Sequence, residues 1–137
     1  MAIKIDVKKT HEDIDIGGTI YRIDVSDDTR RRFMKERRAI DAKAEELQAI
    51  DVDKLDGDEA IKYEDDVLEN MRKITTILIG EDAFDPIYEV CGRSTFVFVD
   101  VIEQVTAVMD KYIKETKIME RAELLQKQPS SAMKLAT

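Results

Sequence analysis

The chain opens on a simple alternation. In AIKIDVKK, Ile3, Ile5 and Val7 fall on one side of an extended chain and Lys4, Asp6 and Lys8 on the other, which is the period of a half-buried strand. After a polar break at Thr10 and His11 a second alternation begins. Ile14 and Ile16 lead into Gly17-Gly18, and beyond it Tyr21, Ile23 and Val25 alternate with Ile20, Arg22 and Asp24. Two such runs joined by Gly-Gly predict a β-hairpin, since both glycines reach positive φ without steric cost. A lone hairpin is marginal in water, so it must pair with the first strand, making three strands, or lie on helices.

From Ser26 the period changes. Ser26 is a good N-cap, and Asp27 and Asp28 sit where the helix dipole favours anions. A helix is predicted from Thr29 to about Ile50, with Phe33, Ile40 and Leu47 seven residues apart and Met34, Ala39 and Ala44 beside them. That narrow stripe suits a single neighbouring helix. Asp51 to Glu59 holds a turn, and Asp58 can cap a second helix from Glu59 to about Ile79 with apolar positions at Ile61, Val67, Leu68, Met71, Ile74, Ile77 and Leu78. Gly80 ends it. Asp82 opens a short helix, AFDPIYEVC, whose Pro86 falls in an early turn where its missing N–H costs little.

Ser94 caps a last helix running from Thr95 to about Gln126, very apolar as far as Ile113. The β-branched TFVFVDV at its start also fits a strand; the absence of turn signals from Thr95 to Gln128 favours the helix. Pro129 is expected to stop it. The predicted fold is mainly α with a small N-terminal hairpin or three-stranded β region (α+β). It forms one domain over residues 1–128, with residues 1–25 the β region and 26–128 helical. Residues 129–137 are expected to be a flexible tail.

Charge narrows the function. Of 137 residues 38% are charged and the net charge is −8, a poor balance for neutralising phosphates, so no nucleic-acid partner is expected. The arginines of TRRRFMKERR have Asp27, Asp28, Glu36 and Asp41 within about a turn and read as a salt-bridged helix face. A single cysteine excludes an internal disulfide. No apolar run approaches the roughly 20 residues that span a bilayer, and the N-terminus lacks a signal-peptide core. No membrane partner is expected, and the cytoplasm is the expected compartment.

Candidate chemistry is sparse. A Cys91 thiolate would need a base, and the one histidine, His11, lies in a polar stretch between strands. Zinc needs several Cys or His ligands. DVDKLDGDE places Leu55 and Asp56 out of phase for a calcium loop, and Tyr63 stands where the closing glutamate belongs. Asp100 interrupts an apolar run but falls with Glu103, Ala107 and Lys111 on the sparser helix face. No catalytic, cofactor or metal residue is expected, and GEDAFDPIYEVCGRSTFVFVD (residues 80–100) reads as a packed corner between helices.

That corner carries a resemblance. A small β-rich start, a charged helical hairpin and TILIGEDAFDPIYEVCGRSTFVFVDVIEQV together resemble the tail assembly chaperones of long-tailed phages and prophages of Gram-positive bacteria. The likeness is strongest from Ile77 to Val108, where Gly80, Phe84, Ile87 and Tyr88 fill a Gly-x-x-x-aromatic-x-x-aliphatic-aromatic pattern. The resemblance implies a non-enzymatic chaperone that binds the tape-measure protein and keeps it soluble while the tail tube polymerises. It also implies self-association, contact with the major tail tube protein, a place in the host cytoplasm rather than the mature virion, and a longer frameshifted form. A non-enzymatic structural or adaptor protein acting through helix–helix contacts is the alternative. Binding a long amphipathic helix needs apolar surface framed by charge. The candidates are the stripe of Phe33, Met34, Ile40 and Leu47 and the thinner stripe of Ile118, Met119, Ala122 and Leu125, though both could pack internally. The alternating N-terminal strand could add to a neighbour's sheet edge.

Overall fold

The computed structural model describes the backbone of residues 1–136 and the side chains of residues 1–117, 121, 122, 124 and 125. Its elements are β1 (His11–Ile16), β2 (Thr19–Asp24), α1 (Asp27–Gln48), α2 (Gly57–Leu78), α3 (Phe84–Val90) and α4 (Thr95–Ala136), with 3-10 turns at Val52–Lys54 and Glu81–Ala83. The α+β, mainly helical class follows directly.

The hairpin forms where Gly-Gly predicts it. Ile16 pairs with Thr19 across a two-residue loop, and Gly17 and Gly18 take φ of +61° and +92°, the left-handed sense that matches the strand twist. The Gly18 N–H donates to Asp15 Oδ1 at 2.8 Å. Ile16, Ile23 and Val25 turn into the core, so the hairpin lies on helices. The third strand does not form. Residues 1–9 carry no regular structure, and Ile3, Ile5 and Val7 are 88%, 75% and 90% exposed. Alternation predicts a strand, but a strand also needs an edge within reach, and the chain between Val7 and His11 has no turn-forming residue.

A short polar hinge joins sheet to helix. The Asp24 carboxylate accepts hydrogen bonds from the Ser26 N–H at 2.9 Å and the Thr29 hydroxyl at 2.7 Å, while Ser26 caps α1 as expected. Phe33, Ile40 and Leu47 are all buried; their seven-residue stripe packs within the chain, where α1 contacts α2. For Phe33 and Ile40 this corrects the assignment as partner-binding surface: a stripe that narrow is covered by one neighbouring helix, and α2 is that neighbour. Arg37 ties α1 to α4, donating to Asp41 at 3.1 Å and to Asp110 at 2.6 Å with its guanidinium over the Phe33 ring.

The cap of α2 is Asp56, two residues before the expected Asp58. Asp56 accepts from the Glu59 N–H at 2.8 Å, and the Glu59 carboxylate accepts from the Asp56 N–H at 3.2 Å. This capping box satisfies two otherwise orphaned donors, whereas Asp58 alone would satisfy one. Likewise Asp82 sits within the 3-10 turn rather than opening α3, which starts at Phe84 with Pro86 in its first turn. The short helix ends with Gly92 and Arg93 both at positive φ.

Thr95 begins a helix, not a strand. Phe98, Ile102, Val105 and Met109 lie one above another on α4 and are essentially inaccessible, whereas a strand would have buried alternate residues. Phe98 meets Phe84 and Tyr88 in an aromatic cluster with centroids 5.1 and 5.9 Å away, and Arg72 caps the Phe84 ring at 4.6 Å. The helix also runs past Pro129 to Ala136, where a stop near Gln126 and a loose tail were expected. A proline deletes one helical hydrogen bond, and here it does not end the helix; the side chains of this stretch, and Thr137, lie outside the described residues. Among the described residues no helix is long and apolar enough to cross a membrane.

A side chain at Gly17 would collide with Val90 of α3, while Gly18 faces open space. Gly18→Ala should therefore cost about 1 kcal/mol, the strain of a left-handed residue, and Gly17→Ala clearly more, read as a lower urea midpoint at constant slope. Asp24 yields a pH prediction. Burial raises its carboxyl, but the hydrogen bonds from Ser26 and Thr29 outweigh burial and hold it below the ordinary Asp value. A depressed carboxylate stabilises above its unfolded pKa of about 3.9 and ceases to do so as pH falls through its folded value. Wild type should lead Asp24→Ala by a constant margin from neutral pH down to about 5 and lose that margin on further acidification, followed by urea denaturation at each pH.

Candidate partner-binding groove

Helical spacing sets Tyr63, Val67, Asn70 and Met71 on one face of α2, and Phe96, Val99 and Glu103 on one face of α4. Because α2 contacts both α1 and α4, these faces meet the end of α1 at Ala44 and Leu47. The result is a largely apolar cleft of about 240 Å³. Leu47 is buried in its wall, and Phe96 stands at its rim with 75% of its surface in water. The same end of the α1–α2 hairpin also exposes Ile50, Val52 and Ile61. So much apolar surface at one end of a small chain is the usual mark of an interaction site.

The charge in the cleft is negative. Glu64 and Glu103 line it, and among the described residues no lysine or arginine does. Asn70, only 3% exposed, donates through Nδ2 to the Ile40 carbonyl oxygen at 3.0 Å, which orients the amide and leaves Oδ1 without a protein donor. A buried acceptor left unsatisfied costs about 1–3 kcal/mol. A guest with an apolar body and a cationic head therefore suits the cleft in charge.

The expected partner-binding residues scatter. Phe33 and Ile40 are sealed in the core, Leu47 forms part of the cleft wall, and Met34 is partly exposed on α1 away from the cleft lining. Leu125 is exposed on α4 beside Leu124; the side chains of Ile118 and Met119 lie outside the described residues. The pattern along the chain passed over Tyr63 and Asn70 and counted Val67 and Phe96 only as apolar helix positions. Two signals pointed to them: an asparagine set in the apolar face of α2, and a Phe96 out of phase with the Phe98–Ile102–Val105–Met109 stripe.

The residues weighed for chemistry stay apart from the cleft. Cys91 is buried at the end of α3, where loss of hydration pushes its thiol pKa upward and keeps it protonated and unreactive. His11 opens β1 with its ring 4.0 Å from Asp13. Asp100 is solvent-exposed and accepts from Gln104 Nε2 at 3.2 Å. In the Asp51–Glu59 segment the Asp51 carboxylate caps the 3-10 turn by accepting from the Asp53 N–H. Among the described residues no three His, Cys, Asp or Glu side chains converge as a metal site.

An Asn70→Leu variant, which replaces an unsatisfied amide with apolar volume, should unfold at a urea midpoint equal to or above wild type, unlike most buried substitutions. Comparison with protein-family models, curated proteins and solved structures found no match.

Proposed function

We propose that this chain is a non-enzymatic tail assembly chaperone, which binds amphipathic helical segments of a phage tape-measure protein and keeps them soluble while the tail tube forms. The observation that carries this reading is the apolar cleft with Phe96 exposed at its rim and Glu64 and Glu103 in its wall. An amphipathic helix laid in such a groove buries its apolar side chains at intervals of three and four, and its flanking lysines or arginines would face Glu64 and Glu103. The cleft also draws on α4 residues from the Ile77–Val108 stretch that carries the family resemblance. In that stretch Phe84, Ile87 and Tyr88 build the corner that sets the start of α4. A net charge of −8 keeps free protein dispersed while an apolar patch stays open. The site of action is the host cytoplasm, with the major tail tube protein as a neighbour in assembly.

The test is co-expression with tape-measure fragments from the neighbouring gene, followed by calorimetry on purified components. Wild type should bind at least one amphipathic fragment. Phe96→Asp should weaken binding at least about tenfold, equivalent to roughly 1.4 kcal/mol, with Met34→Asp unchanged. Absence of binding to every fragment, or full binding by Phe96→Asp, overturns the reading.

A further inference from the structure

A second cleft, of about 460 Å³, lies between the hairpin and α4, lined by Ile14, Ile16 and Gly17 on one side and by Val101, Val105 and Val108 on the other. β1 lines it and β2 does not, so the cleft flanks the unpaired edge of β1 at its Ile14–Ile16 end. The pairing of Ile16 with Thr19, and the bond from the Val25 N–H to the Thr10 carbonyl, fix which backbone groups face β2. Glu12, Ile14 and Ile16 point theirs at β2; His11, Asp13 and Asp15 point theirs at the open edge. The hairpin thus presents a row of unused donors and acceptors beside an apolar trough.

We infer that the segment Ala2–Lys8 of a second copy of this chain docks here as a third strand. Three observations select that occupant. Its alternating Ile3, Ile5 and Val7 are 88%, 75% and 90% exposed in the single chain, so they are free to pair, and Ile3 set beside Ile14 covers the trough over Val101, Val105 and Val108. Its length matches: seven extended residues span about 23 Å against about 20 Å for the six of β1. Its outer face is complementary in charge. With Ile3 set antiparallel beside Ile14, Lys4 falls opposite Asp13, the opposite-charge pairing that stabilises neighbouring strands.

The chain's own segment is the poorer occupant. Reaching the same register would require a two-residue turn at Lys8-Lys9, and such turns need positive φ and favour Gly, Asn or Asp. A longer loop would take Val7 out of the strand. A second copy meets neither constraint. Reciprocal exchange closes a dimer and one-way exchange extends a chain; both use the same strand.

This inference stands apart from the helix-binding reading, and its test separates them. Sedimentation and amide exchange would be run on the full chain from micromolar to millimolar concentration. Wild type should self-associate, with the Asp13 and Asp15 amides gaining protection as mass rises. The triple variant Ile3→Asp, Ile5→Asp, Val7→Asp should raise the dissociation constant at least about tenfold and lose that protection. Its melting temperature as a monomer should be unchanged, since these side chains are largely exposed in the single chain, and Phe96→Asp should associate like wild type. A wild type that stays monomeric at millimolar concentration, or a triple variant that associates undiminished, overturns it. So does protection of Asp13 and Asp15 in a species of monomer mass, which would assign the edge to the chain's own segment.

Discussion

One stripe organises this protein: Phe98, Ile102, Val105 and Met109, stacked along the first four turns of α4 and removed from water. Each of the other elements contributes to the core around it, with Ile16 and Ile23 from the hairpin, Phe33 and Ile40 from α1, Ile74 and Leu78 from α2, and Phe84 and Ile87 from α3. With aromatic residues a small part of the composition, the contact of Phe84, Tyr88 and Phe98 concentrates much of the available ring surface at one corner. Large rings supply more buried area per residue than aliphatic side chains. That lets a chain with many charged residues hold a core from few positions.

Committing one face of α4 inward leaves its neighbouring face to meet solvent or a partner. Phe96 lies two residues before Phe98, about 200° round the helix, so burying one exposes the other. The same geometry makes the groove: α2 lies between α1 and α4 and cannot fill the space above its own Tyr63, Val67 and Met71. Asn70, in the groove wall, links α2 to the α1 backbone through its side-chain N–H. The hairpin edge and the groove use different stretches of α4, which is what would let self-association and helix binding operate independently.

Several features were readable directly. Gly17-Gly18 between alternating runs specifies a hairpin, because few other residue pairs take two positive φ values. Ser26 and Ser94 cap the helices that follow them. The reading of residues 80–100 as a packed corner agrees with the burial of Phe84, Ile87, Cys91 and Phe98. Other readings failed for identifiable reasons. Asp58 is as good a cap as Asp56 in isolation, and only the reciprocal bond with Glu59 separates them. Phe33, Ile40 and Leu47 form a seam in any reading, but a seam does not say whether its partner belongs to the same chain. The candidate groove escaped notice because its walls come from three helices far apart in sequence.

What the amino-acid order determined by itself is local: the kind of each element, its caps and turns, and which side chains share a face. These depend on backbone sterics and on periods of two and 3.6 residues, which act within a few positions. Tertiary structure alone decided which faces meet. It covered the α1 stripe with α2 and left Phe96, the β1 edge and Ile3, Ile5 and Val7 largely exposed. That choice depends on the competition among all apolar faces for a limited interior, which no single segment encodes.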